Sequence, residues 1–217
     1  MDHGVVVGRV ALLRRFPLRS AGGDLPASVS LDAAGLAHDR RWQLLDAAGE
    51  PVRARDVPEL AAWVASVDDD ALRVRPAGAA GGAAAPGDGW PVRLAGPGTR
   101  LHDARAAGVG AAGAPGPHRE GAAVHLVAAG AAEAPDAPAG CDPGERANVV
   151  VELDPALAQP GEERTWVGRR LRLQRADAAP GPLLRVTRTP KRCLGVYADV
   201  VEPGVVGVGD VVVLLDT

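Results

Sequence analysis

Lys191-Arg192-Cys193 follows Pro190 and a β-like stretch, and places two cations directly before a sulfur. Positive neighbours favour thiolate over thiol, and a thiolate is what a metal ligand or a sulfur nucleophile requires. The opposing reading is an inert buried cysteine. The polar neighbours and the post-proline placement favour the reactive one. Cys141, in AGCDPGE, has no cationic neighbour and reads as incidental. The two cysteines match no CxxC spacing, so no zinc or thioredoxin-type site is expected of them. Both are expected to be free thiols in a reduced, cytoplasmic protein.

Three further segments carry groups suited to an anion. Arg19-Ser20 follows a proline in a loop after the opening strand, where a guanidinium can clamp an oxyanion and serine adds a hydroxyl. A solvated loop arginine is the competing interpretation. His38-Asp39-Arg40-Arg41 precedes a strand and offers a second guanidinium, or else closes a surface turn with Asp39 paired to an arginine. His38 has no second histidine at metal spacing. Arg146-Ala147-Asn148 runs into a buried-looking strand, where the asparagine either faces a ligand with donor and acceptor together or closes a turn. Lys191 is the only lysine among 24 basic side chains, a bias typical of GC-rich coding, so each arginine carries less weight than usual. A cysteine hydrolase would need a histidine base, and His125 alone lies in an ordered-looking strand. The combination of anion-facing arginines and one activated cysteine fits a phosphate-bearing, thiolate-ligated cofactor better.

These groups need a scaffold, and composition bounds it. The 217 residues are 47% hydrophobic and 24% charged, an ordinary globular balance. A net charge of −3 gives no electrostatic footprint for nucleic acid or an anionic membrane. No long apolar stretch is present that would span a bilayer. Aromatics are only 3%, so Val, Leu and Ala must build the core.

Strands are expected over 5–13, 27–31, 72–74, 92–94, 148–153, 166–174, 183–188, 195–201 and 211–215. A hairpin turn is expected at DAAGEP between 41–46 and 52–55, with Gly49 at its bend. PELAAWVA (58–65) has Pro at its start and i, i+3, i+4 apolar spacing, which predicts a helix. Residues 75–89 and 106–121 are diluted with Gly, Ala and Pro and read as loops. The fold class is mainly β and barrel-like, with a few short helices.

At this point the motifs resemble a known family. VGRVALLRRFPLRSAGGDLP followed by GLAHDRRWQLLDAAGEPVRARDVPELA resembles the N-terminal β-barrel domain that precedes MOSC domains. ERANVVVEL, EERTWVGRRLRL and LRVTRTPKRCLGVYADVVEPGVVGVGDVVVLL resemble the MOSC domain itself. The resemblance implies an N-terminal β-barrel domain over 1–105 and a MOSC domain over 106–217. Proteins of this two-domain type include the mitochondrial amidoxime reducing component and its bacterial relatives, which bind molybdenum cofactor and reduce N-hydroxylated compounds. Pyridoxal phosphate is a further ligand linked to the family.

By resemblance, Cys193 would ligate molybdenum. Arg19, Ser20 and Arg40 would hold the phosphate and dithiolene end of the molybdopterin, with Arg146 and Asn148 on the pterin and Lys191 beside the sulfur. The partners implied are a small-molecule substrate and a separate electron-transfer protein, since the chain has no ferredoxin-like cysteine cluster. Neither nucleic acid nor membrane is expected.

Two departures from the family pattern stand out. Cys193 runs at once into LGVYADVV, without the usual longer insert, and alanines stand within HLVAAGAAE (125–133) where hydroxyls are common. Two alternatives to an N-hydroxy reductase follow: a sulfur carrier holding a persulfide on Cys193, and a cofactor-free member repurposed for specialised metabolism.

Overall fold

The computed structural model describes residues 4–78, 95–104, 122–133, 146–175, 180–191 and 193–216. Their strands are β1 (Gly4–Leu13), β2 (Ser28–Asp32), β3 (Gly35–Leu36), β4 (Trp42–Leu45), β5 (Trp63–Asp68), β6 (Ala71–Pro76) and β7 (Arg100–Asp103). The chain continues with β8 (Val124–Ala128), β9 (Val149–Leu153), β10 (Arg170–Gln174), β11 (Leu183–Arg188), β12 (Val196–Glu202), β13 (Gly204–Gly207) and β14 (Val211–Leu215). The helical content among the described residues is short 3₁₀ turns such as Pro58–Ala62 and Glu162–Trp166, so the fold is mainly β as expected.

The described residues form two compact units. One comprises 4–14, 25–37 and those from 122 onward; the other comprises 15–24 and 38–104. The expected boundary at 105/106 lies outside the described residues. The units interleave along the chain because β1 and β2 pair with strands from the C-terminal third.

The first unit is a closed barrel in the order β1-β14-β10-β11-β12-β8-β9, with β9 returning to β1. β1 pairs with β14 through its first half and with β9 through its second, and its register shifts at Val6/Gly8 and Val10/Leu12. Such bulges bend a strand and raise its twist, which lets one strand serve both neighbours of a closed sheet. Gly8 is required there: a Cβ would stand 2.1 Å from the Glu152 carbonyl oxygen. Period-two alternation fills the interior, as in β10, where Leu171 and Leu173 are buried while Arg170, Arg172 and Gln174 reach outward. Val10, Leu126, Val149, Val151, Leu184, Val186 and Val196 join them in one cluster. Each such side chain stabilises the fold by about 1.5–3 kcal/mol, and aliphatic residues thus replace the scarce aromatics. β13, β2 and β3 form a separate three-stranded sheet in this unit.

The second unit holds two antiparallel ladders, β4–β7 and β5–β6. Asp69 and Asp70 join β5 to β6, both with positive φ (45° and 65°), as a two-residue turn with the right twist demands. Leu18, Trp42, Leu44, Leu60, Leu72 and Val74 make its core.

Two local expectations need correction. PELAAWVA is not a helix: Pro58–Ala62 form one 3₁₀ turn, and Trp63 is already extended (φ −106°, ψ 144°) at the start of β5. An eight-residue apolar pattern fits both periods, and pairing with β6 decides it. Val52–Arg55 is also no strand. The DAAGEP turn forms, with Asp46 N–H bonded to Glu50 O and Gly49 at φ +88°, but the ladder partner of β4 is β7. The strand expected at 92–94 and the loops at 79–89 and 106–121 lie outside the described residues.

Candidate functional site

In the two-ladder unit, residues 16–20 run alongside 40–42. Arg40 N–H donates to Phe16 O at 2.7 Å, Trp42 N–H to Pro17 O at 3.0 Å, and Arg19 N–H to Trp42 O at 2.8 Å. The segments carrying Arg19, Ser20 and Arg40, predicted as one anion-binding group, therefore run side by side, with Arg40 opposite Phe16 and Arg19 opposite Trp42, and all three residues are half-buried. Ser20, His38 and Arg40 adopt positive φ (71°, 65° and 52°). A left-handed non-glycine residue costs of order 1–3 kcal/mol and persists only where its surroundings hold it.

Asp39 provides that hold. It is 1% exposed, its Oδ1 accepts the Phe16 N–H at 2.8 Å, and its Oδ2 accepts from Arg40 Nη1 at 3.2 Å. The Arg40 guanidinium also lies 5.7 Å from the centre of the Phe16 ring. Local sequence suggested an Asp39–arginine pair or an anion site, and the geometry supplies the pair, with the Arg40 guanidinium on Asp39 and the Phe16 ring.

Arg41 serves a different purpose. It grips Asp103 through two hydrogen bonds (2.9 and 2.8 Å), reaches Asp70 Oδ1 at 3.1 Å and stacks 4.3 Å from the Trp42 ring. His38 completes this clamp, with Nδ1 3.2 Å from Arg41 Nη1 and Nε2 3.2 Å from Asp70 Oδ1. A guanidinium can only donate, so Nδ1 accepts and Nε2–H donates to Asp70. Hydrogen bonding to Asp103 holds the Arg41 guanidinium above its ordinary range, against the opposing pull of burial. Sequence reasoning missed this clamp, since nothing local links position 41 to 70 and 103.

The barrel unit carries the remaining candidates. Asn148 is 1% exposed and its amide serves backbone: Oδ1 accepts the His125 N–H at 3.2 Å, and Nδ2 donates to Arg14 O at 3.3 Å. This is the turn-closing arrangement, and it ties the start of β9 to β8 and to the residue after β1. Arg146, two residues earlier, is exposed.

Cys193 is half-buried in the turn between β11 and β12, while Lys191 is exposed. Arg192 lies outside the described residues. The sulfur of Cys193 is disulfide-bonded, so the expectation of a free thiol does not hold for it; Cys141 lies outside the described residues. Gly195, at φ +78°, follows in the same turn, and a Cβ there would stand 2.1 Å from Leu126 O. The turn thus lies directly against β8.

Several conspicuous motifs prove to shape the fold. In EERTWVG, Glu163 Oε2 accepts the Gly161 N–H at 2.8 Å, Trp166 enters the core and Gly168 takes φ +91°. In VVGVGD, Asp210 Oδ2 accepts the Gly207 N–H at 2.7 Å and closes the turn into β14. Glu163 is fully buried, and its Oε1 has no hydrogen-bond partner. Outside the barrel core, the Arg172 guanidinium holds the exposed Glu202 carboxyl below the usual carboxylate range. A cavity of about 400 Å³ in the two-ladder unit is lined by Asp46, residues 50–53 and 55–57 and Ala95, none of them a predicted site residue.

No helix among the described residues is long and apolar enough to cross a membrane. No group of three or more His, Cys, Asp or Glu converges among the described residues as a multi-ligand metal site. Comparison with curated proteins gives no match. Residues 7–86 match the family model described as the MOSC N-terminal beta barrel domain. That segment contains the fastened 16–20 and 38–42 turns, and over it the chain is similar to this N-terminal domain.

Proposed function

We propose that this chain binds molybdenum cofactor, as MOSC-family proteins often do, and reduces N-hydroxylated compounds. One observation carries the reading. The segment carrying Arg19 and Ser20 is hydrogen-bonded along 40–42, Ser20 and Arg40 stand on left-handed backbone, and buried Asp39 bonds both Phe16 and Arg40, all inside the family-matched segment. Strain of this kind, fixed by a buried carboxylate, belongs to sites more often than to idle loops.

The residues fit the group. Two guanidiniums and a hydroxyl suit a phosphate. A single cysteine sulfur suits a metal whose other sulfur ligands arrive with the cofactor. In this reading Arg19, Ser20 and Arg40 hold the phosphate end, Arg146 and Asn148 contact the pterin, and Lys191 stabilises the Cys193 thiolate. Asn148 retains one N–H and one oxygen lone pair beyond its two backbone bonds. Cys193 first has to be reduced, its disulfide opened by an external dithiol that gives up two electrons and two protons and is itself oxidised to a disulfide. When bound, the cofactor supplies two-electron reduction of a nitrogen–oxygen bond. A separate electron-transfer protein provides the electrons, and the substrate is a small molecule.

The test is metal analysis of protein expressed in a cofactor-sufficient host and purified anaerobically with reductant. Molybdenum near one per chain is expected in the wild type, with loss in Cys193→Ser and in the Arg19→Ala/Arg40→Ala pair. A wild type without molybdenum overturns the reading.

A second reading is persulfide carriage on Cys193, which is half-buried in the turn between β11 and β12 and would first be freed from its disulfide by reduction. The Cys193 thiolate would take sulfur from the persulfide of a cysteine desulfurase, releasing that enzyme's thiolate. Mass spectrometry after incubation with desulfurase and cysteine decides it, by a gain of one sulfur on Cys193 or none.

A further inference from the structure

We infer that His125 is a positioning residue that fixes the turn carrying Cys193 against the Asn148 end of the barrel. Its two attachments point in different directions. Its backbone N–H is bonded to Asn148 Oδ1 at 3.2 Å, and its carbonyl accepts the Asn148 N–H at 2.8 Å. Its side chain reaches the other way, with Nε2 2.8 Å from the carbonyl oxygen of Leu194, the residue next to Cys193. A carbonyl can only accept, so Nε2 carries the proton.

His125 is 6% exposed and Leu194 is 1% exposed. Burying either polar group without a partner is costly, and this bond satisfies both at once. Register supports the arrangement: β12 pairs with β8 as Val196↔Leu126 and Tyr197↔His125. The Tyr197 ring meets the imidazole edge-on at 5.1 Å, and the Arg188 guanidinium lies 5.2 Å from the centre of that tyrosine ring. The turn at 193–195 is therefore held twice, by the imidazole of His125 and by the close approach of Gly195 to Leu126 O. The Nε2 proton is committed to Leu194, so that nitrogen is not a base for the sulfur; its role is to hold the segment that carries it.

The inference rests on the reading of Cys193 as the reactive sulfur, and its test is run without metal so that the two fail separately. Reduced, metal-free Cys141→Ser protein is alkylated with iodoacetamide at fixed pH, and modification of Cys193 is followed by mass spectrometry. His125→Phe, which keeps the ring and removes the donor, should raise the rate about fivefold, the population shift expected from one lost hydrogen bond. His125→Gln, which restores an N–H donor, should return it toward the parent value.

A Phe variant with the parent rate, or a Gln variant as fast as Phe, overturns the inference, even where both variants melt lower. Should the Phe variant fail to fold, native-state hydrogen exchange of the parent decides. Exchange of 194–196 together with β8 supports the role, and exchange of that turn while β8 stays protected overturns it. Absence of molybdenum from the wild type alongside the expected alkylation pattern would sink only the cofactor reading.

Discussion

The two units of this molecule solve the same problem with different materials. The barrel unit closes its sheet on itself and fills it with aliphatic side chains, so its strands have backbone partners on both sides and its core needs little polar help. The two-ladder unit has two strands in each sheet and a smaller apolar cluster. Isolated two-stranded ladders are marginal in water. Here they are supplemented by directional bonds: Asp39 to Phe16 and Arg40, Arg41 to Asp103 and Asp70, and Arg15 to Asp24 at 2.5 Å. The Arg19–Ser20/Arg40 turn is found in the unit held by polar clamps. Directional bonds can hold a backbone in a strained conformation that apolar packing alone does not specify.

The comparison breaks most visibly in the barrel. Leu184→Ala, at a fully buried position, should cost about 2–5 kcal/mol in urea unfolding, and raised salt should leave the loss unchanged. Asp39→Ala should cost about 1–3 kcal/mol by stranding the Phe16 N–H. Its effect should concentrate in the two-ladder unit, read as faster proteolysis within 15–24 while barrel amides keep their exchange protection.

Asp103→Asn weakens the Arg41 clamp and should cost roughly 1 kcal/mol, since both side chains are partly solvated; 1 M salt should shrink that difference. The Arg41 guanidinium is held above its ordinary range by Asp103, so its own contribution is complete at neutral and mildly alkaline pH and is lost only in strong base, leaving the mutant difference flat from about pH 6 to 9. The smallest effect should come from Glu202→Gln on the barrel exterior. The Glu202 carboxyl lies below its ordinary 4.5, so its contribution is present above that pH and fades as pH falls through the lowered value. Melting curves of variant and wild type should therefore converge in acid, and curves that diverge there would contradict the assignment.

Much of this scaffold was legible in the chain itself. Residues 28–32 alternate in burial as their sequence alternates, and 183–188 and 211–215 are strands where the β-branched runs place them. What composition could not disclose was pairing. Nothing in VVVGRVALL indicates that this strand closes a barrel with 149–153 and 211–215, and the misjudged helix at 58–65 turned on a partner strand as well.

The candidate site divides in the same way. Arg19, Ser20 and Arg40 were readable because they are polar residues at loop positions beside a strand. Asp39 looked like an ordinary turn residue, and only burial reveals what it holds. Asn148 was ambiguous until its amide partners were known. The disulfide at Cys193 could not be anticipated from spacing, because bond formation depends on distance in space and not along the chain.

The split loyalty of β1 bears on how the protein is made. It emerges from the ribosome before its barrel partners, yet those partners are β9 and β14, translated long after it. Until β14 is made, the nascent chain carries an unsatisfied, valine-rich edge on β1, so barrel closure is a long-range event of the slow-folding kind. Placing β1 between β9 and β14 makes closure of the sheet wait on the later of its two partners.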